Sequence, residues 1–298
     1  MLFFGAFFLF YRRFDISSWG EVSDSFWTPI PLFEVLHLSA LPSLLLIVCQ
    51  GVWKTSLALS CLGLFTRTST VSSFVLGIYL LGLPHNFGKT NHYDALVVLI
   101  LGLMAASKCG DACSIDRLIW KVRHRSDRAL QRPQMSGEYT WPVRAVWLLF
   151  ALIFFAAGVS KLRHSGLEWI FSDNMATLLL KYSYENDPIV TWGAVLAQYS
   201  WLTQLMAAST VALEVSYPLA LFSRRARWII VPGVFSMQVG IKLFMGISFD
   251  QFLICNLFWI PWDRISHGFV RGFHKLLSLG KHFMFYDRKS PNSVRQKN

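Results

Sequence analysis

The chain has 298 residues, of which 54% are hydrophobic, 15% aromatic and only 15% charged, and Lys and Arg exceed Asp and Glu by eleven. So few charges with a positive mean hydropathy exclude an ordinary soluble domain. The excess base is concentrated in loops and the tail rather than spread over a polar face, which argues against a nucleic-acid binder. The composition predicts an all-α integral membrane protein.

A helix needs about 20 mostly apolar residues to cross a bilayer. In chain order this predicts a polytopic bundle of about eight transmembrane helices, near 1–11 (short), 43–65, 69–84, 94–108, 144–162, 198–222, 228–246 and 249–262. Met1 opens onto an apolar stretch with no basic region before it, unlike a cleaved signal peptide. Lys54 strains the second span, because a lysine near the middle of a span costs about 2.5 to 3.5 kcal/mol on insertion scales. A span over 35–53 would avoid this, but Phe65-Thr66-Arg67 makes a natural stop for the longer one.

Sixteen of the 28 basic residues lie in three places: Lys121 to Arg132, Arg224 to Arg227, and the stretch after Asp263. Cytoplasmic loops carry this kind of excess. The expected topology therefore puts both termini, the 109–142 loop and the 223–227 turn in the cytoplasm, in a cell or inner membrane. Residues 12–42, Pro84 to Tyr93 and Arg163 to Ala197 then fall outside, and Arg12 and Arg13 conflict with the rule. Segments such as Ser25 to Phe33 and Glu168 to Phe171 mix aromatic and polar residues, as interfacial pieces do, and are expected to form a lid. Residues 1–265 form one domain in this reading, and 266–298 a basic, partly disordered cytoplasmic tail.

Lys161 ends an apolar run, Ala145 to Val159, that holds no charge. A lysine there either snorkels to the membrane surface or sits in a low-dielectric pocket, where its amine can serve as a base. The same external side collects His85, Asn86, Asn91, His92 and Asp94, and the topology puts His92 at the level of Lys161. Glu214 and Lys242 fall within spans, where ionisable residues usually pair or line a cavity. At about 1.5 Å rise per residue they lie about 12 and 21 Å from their shared turn, so direct pairing needs both side chains extended. Gln238 shares a helix face with Lys242. Five cysteines, mostly within apolar runs, suggest packed small hydrophobes rather than disulfides. Cys109 and Cys113 lack the further ligands a zinc site needs, so no metal is expected.

Several segments occur in an order that resembles the horizontally transferred transmembrane (HTTM) domain family, which includes the membrane part of vitamin K-dependent gamma-carboxylase. They are Gly63-Leu64-Phe65-Thr66-Arg67, the Asn86 to His92 loop, Ser114-Ile115-Asp116, Ala157-Gly158-Val159-Ser160-Lys161-Leu162 followed by Trp169, and Leu243-Phe244-Met245-Gly246. The resemblance covers residues 1–265. It implies a membrane enzyme, carboxylase- or epoxidase-like, in which a lysine at the Lys161 position deprotonates a reduced quinone and His92 assists. Asn86, Asn91, His85, Trp169, Glu214, Gln238 and Lys242 are then candidate contacts for substrate or cofactor.

Two departures qualify this. Only a short basic tail follows Asp263, where the carboxylase carries a large non-membrane domain that holds its protein substrate. Gln238 also stands where many family members have a histidine, and a glutamine does not take a proton near neutral pH. The expected partners are membrane lipids, a quinone and a separate soluble redox or substrate-binding protein. A more distant likeness to DoxX-type redox-complex subunits, and a non-catalytic lipid- or partner-binding membrane protein, are the other readings.

Overall fold

The computed structural model describes residues 1–88, 93–111, 114–123, 137–185, 191–262 and 265. The chain divides into two units, Met1–Phe258 and Trp259–Asn298. In the second, only residues 259–262 and 265 are described, so the tail expected at 266–298 lies outside the described residues.

Every regular element among the described residues is helical. The first half is built from α1 (Leu2–Tyr11), the one-turn α2 (Pro31–Val35), α3 (Ser43–Leu62), α4 (Thr66–Gly82), α5 (Tyr93–Ala106) and α6 (Ile115–Arg123). The second half contains α7 (Gly137–Ser165), α8 (Glu168–Phe171), α9 (Asn174–Glu185), α10 (Thr191–Leu196), α11 (Ser200–Ser216), α12 (Leu219–Phe222), α13 (Arg224–Met245) and α14 (Asp250–Cys255). Three of these, α3, α7 and α13, are long and apolar enough to cross a membrane.

Local chemistry sets the ends of these helices. Pro42 precedes the first turn of α3, and Gly63 ends it in the left-handed region at φ 68°. The span expected at 43–65 thus holds as a helix, and the alternative at 35–53 does not. Ser223 Oγ accepts the Ala226 N–H at 3.3 Å to start α13. Gly246 stops that helix at φ 69°, its N–H reaching the Lys242 carbonyl at 3.1 Å. The helix expected at 249–262 instead breaks after six residues into a 3-10 turn, Asn256–Trp259. Pro261, which disfavours helical backbone in the residue before it, stands just beyond. The run expected at 198–222 divides near Tyr217-Pro218 into α11 and α12.

The helices carry polar groups inward and apolar groups outward. Gln50, Ser56, Ser60, Ser69, Thr70, Ser73, Thr203 and Gln238 are buried, while Leu44, Ile47, Leu148, Leu152, Ile229 and Leu243 are about half exposed or more. Buried hydroxyls mostly bond to their own or a neighbouring helix, as Ser60 Oγ does to Ser69 Oγ at 3.0 Å. Trp53 is fully buried between α3 and α4 and donates to the Ser73 carbonyl at 2.9 Å. Gly77 faces the Trp53 ring, which lets these two helices approach closely.

Candidate functional site

A cavity of about 680 Å³ opens in the second half, walled by α7, α9, α11, α13 and α14, with Trp169 of α8 at its edge. That volume falls in the range of small-molecule sites. Most of the wall is apolar, including Ile153, Phe154, Met206, Ile241, Phe244 and Phe252. The polar exceptions are the ones that matter chemically.

Lys161 lies in the last turns of α7 and points across to α11, where its Nζ donates to Glu214 Oε1 at 2.8 Å and Oε2 at 2.6 Å. The glutamate side chain is 7% exposed and the lysine side chain 24%. The ammonium also lies 5.3 Å from the centre of the Trp169 ring, within cation–π range. Gly158, one turn before Lys161, makes this reach possible. A Cβ at that position would stand 2.9 Å from Glu214 Cβ and 2.8 Å from Val215 Cγ2, so only glycine lets α7 and α11 come this close.

Gln238 of α13 lines the same cavity, and its buried Oε1 has no hydrogen-bond partner among the described residues. An unmet buried acceptor costs about 1 to 3 kcal/mol, so a donor placed in the cavity would relieve it. Ser209, Thr210, Ser236 and Tyr182 add further polar groups to the lining.

The structure separates the other expected residues into different settings. Glu214 and Lys242 do not pair. Lys242 Nζ instead binds Asp250 Oδ1 at 2.6 Å, in a bridge whose lysine side chain is 47% exposed, and it does not line the cavity. The unequal depths of the two residues along their helices send each to a nearer partner.

Asn86 is fully buried and fully committed. Its Oδ1 accepts the Ile30 N–H at 2.8 Å and its Nδ2 donates to the Gly82 carbonyl at 3.0 Å, pinning the 12–42 segment to the end of α4. His85 is partly buried outside the cavity. Asp94 accepts from Tyr11 Oη at 3.3 Å and from Gln251 Nε2 at 3.5 Å, joining α5 to α1 and α14. Of the described residues in the His85 to Asp94 region, none lines the cavity. His92 and Asn91 lie outside the described residues, as does Cys113.

Two of the quoted motifs meet at the opposite end of the first half and have a structural role there. Asp116 Oδ2 accepts the Thr66 N–H at 2.7 Å and the Thr66 hydroxyl at 2.8 Å, and Oδ1 accepts the Phe65 N–H at 3.0 Å. One carboxylate thus caps the start of α4 from a different helix. Burial works to raise the pKa of this group, but the Thr66 and Phe65 donors outweigh it and hold the carboxyl below its ordinary value. Phe65 itself adopts φ 48°, a conformation that this clasp holds in place.

Sequence reasoning took 163–197 for a connection with a lid and so missed α9, whose Met175, Leu178, Leu179 and Tyr182 face the cavity or its floor. Their spacing of three, one and three residues was the available signal. Ala157, Ser209 and Thr210 were missed as well, because small residues in an apolar run carry no pattern that separates a wall from a packed interface. Comparison with models of protein families, with curated proteins and with solved structures finds no match to this chain.

Proposed function

We propose that the chain is a polytopic membrane protein of the HTTM type that holds a lipophilic, ring-bearing ligand, a reduced quinone, in the α7–α11–α13 cavity. The observation that carries this reading is the Lys161–Glu214 ion pair set into a largely apolar cavity of about 680 Å³. The membrane placement is supported by three long apolar helices, by the apolar outward faces of α3, α7 and α13, and by the basic loops. In this reading α3, α4, α5, α7, α11 and α13 are full crossings. Two shorter passes, made by α1 and α14 with the residues after each, bring the total to about eight. Both termini are then cytoplasmic and the Lys161 end of α7 faces the external side.

The cavity residues suit a quinol. The apolar wall matches a ring and tail, and the unmet Gln238 Oε1 suits a phenolic hydroxyl. A reduced quinone would supply the acidic O–H and the electrons. The protein's part is to take the proton, and here the unit is the pair rather than a lone amine. A proton entering it leaves Lys161 Nζ as ammonium beside a neutral Glu214 carboxyl, and the ammonium faces the oxygen that has lost its proton. Trp169 holds the cation in position. His92 remains the proposed assisting group, and a separate soluble redox or substrate-binding protein the proposed partner. A carboxylase- or epoxidase-like outcome rests on that partner.

One observation favours a second reading. The pair is complete in itself, with both carboxylate oxygens bonded, as a structural bridge in a non-catalytic lipid-binding protein would be. Mass spectrometry of a solvent extract of the purified full chain separates the two. The enzyme reading expects a quinone in the wild type and a loss of about tenfold or more in Lys161→Met, the scale of one charge-assisted hydrogen bond. A wild-type extract free of quinone, in protein that remains folded, sinks it.

A further inference from the structure

Three residues conflict with the charge pattern of the first half, Arg12 and Arg13 on the external side and Lys54 inside a span, and the fold brings them to one pocket. Helix α1 ends at Tyr11, so it covers only part of α3. Beyond it the chain runs over α3 in non-helical form. There Lys54 Nζ donates to the Phe14 carbonyl at 2.6 Å and Gln50 Oε1 accepts the Ile16 N–H at 3.2 Å. Arg12, Arg13 and Lys54 then line a single pocket of about 420 Å³.

The pocket is under-neutralised. Its one acid, Asp15, is turned toward other donors, with Oδ1 accepting the Ser17 N–H at 2.9 Å and Gln50 Nε2 at 3.3 Å. Among the described residues neither arginine head group has a hydrogen-bond or ion-pair partner. Lys54 stands about 17 Å along α3 from Ser43 and about 12 Å from Leu62. If α3 crosses the bilayer, the Lys54 backbone lies below the surface and its side chain carries the charge to the Phe14 carbonyl, among the residues of the pocket.

A second groove, about 580 Å³, runs between α3 and α4; Val48, Val52, Leu59 and Phe65 line it together with hydroxyl residues, of which Thr55 and Ser56 bond back to carbonyls of their own helix at 2.8 Å. It shares Gly51 with the cationic pocket. A Cβ at Gly51 would meet nothing within 4 Å, so the junction of the two is open. Ile47 and Val48 beside it are both more than half exposed, on the outward face of α3.

We propose that this pair of depressions is a binding site for one anionic phospholipid. Its phosphate is held by the Arg12 and Arg13 guanidinium groups with Lys54 behind them, and an acyl chain lies in the α3–α4 groove. Guanidinium groups bind phosphate oxygens bidentately, and their charge makes these bonds about twice as strong as neutral ones. The inference shares the membrane placement above but does not depend on quinone binding. The chemistry recognised is a phosphate oxyanion, and the adjoining apolar groove argues for a lipid over a soluble phosphate.

The test is native mass spectrometry of the full chain released from nanodiscs of equal phosphatidylglycerol and phosphatidylcholine, with thermal unfolding in detergent with and without inorganic phosphate. The wild type should retain phosphatidylglycerol over phosphatidylcholine. The R12Q/R13Q double variant should lose about tenfold or more of that preference, since two charge-assisted bonds go with it. Both arginines are exposed, so this variant is expected to fold. Val52→Trp, at a position that lines the groove but not the cationic pocket, should block the groove, lowering lipid retention while leaving any phosphate response intact. Equal retention of the two lipids by the wild type, or unchanged retention in R12Q/R13Q, overturns the proposal. So does stabilisation by inorganic phosphate without retained lipid, which would assign the pocket to a soluble oxyanion. Quinone measured in the same samples keeps the two proposals separate, because its absence alongside retained phosphatidylglycerol counts only against the enzyme reading.

Discussion

Asp116 and Glu214 are both carboxylates brought by the fold against another helix, and they differ in what satisfies them. Asp116 meets two backbone N–H groups and a hydroxyl at the start of α4, partners that hold no charge and do not line the cavity beside Glu214. Glu214 meets one ammonium, and that ammonium borders a cavity large enough for a small molecule. A carboxylate paired with backbone can only hold helices together. One paired with a second titratable group beside apolar space can also exchange a proton with whatever enters.

The largest expected effect comes from breaking the cavity pair. Glu214→Leu leaves Lys161 facing an apolar wall without its partner, and removing one member of a buried pair costs about 3 to 5 kcal/mol. A strong drop in unfolding temperature in detergent should follow, with the Lys161→Met/Glu214→Leu double variant recovering much of it. A double variant as unstable as the sum of the two single ones would mean that the residues do not interact.

Next in size is Gly158→Val, which puts side-chain atoms where Glu214 Cβ and Val215 already stand. Overpacking of this kind costs about 1 to 3 kcal/mol. It should also push α7 from α11 and loosen the Lys161–Glu214 contact, so that adding Glu214→Leu to it costs less than in the wild type. Thermal unfolding of the four proteins checks this.

Asp116→Ala sharpens the other side of the comparison. Losing a cap costs about 1 kcal/mol, and the effect should depend on pH in a definite direction. The folded carboxyl titrates below its unfolded value, so its contribution is fully present above the unfolded pKa, near 4, and is lost as pH falls through the folded one. Wild type and variant should therefore differ in unfolding temperature at pH 7 and converge on acidification. A gap that persists unchanged at pH 3 would contradict the assignment.

The smallest effect belongs to Lys242→Met. Its bridge to Asp250 is largely exposed on the lysine side, and such pairs contribute about 0 to 1 kcal/mol. Quinone retention should not change, because Lys242 does not line the cavity. A loss as large as that of Lys161→Met would move the site.

Much of the helix pattern was legible from composition. The runs at 43–65, 69–84, 94–108 and 228–246 match α3, α4, α5 and α13 within a few residues, because apolar length and the Pro42, Gly63 and Gly246 signals act locally. The 249–262 run was misread because apolar content alone does not register the break before Pro261. In the site, Lys161, Glu214, Gln238 and Trp169 were each singled out as polar or aromatic groups in apolar or interfacial settings, and all four line the cavity. Their grouping was not legible. Periodicity places a residue on a helix face but says nothing of which helix lies opposite, and so pairing with Lys242 or a place in a cavity wall both stayed open for Glu214, with Lys161 unrecognised as its partner.

By itself, the amino-acid sequence determined that the chain is helical and where the awkward charges stand, since both depend on residues within a turn or two of each other. Only the tertiary structure decided the partners of those charges. Lys161 finds Glu214 because Gly158 allows two helices to touch, and Lys54 finds the Phe14 carbonyl because α1 stops short. Each outcome depends on close approach between segments 40 or more residues apart, which no local pattern encodes.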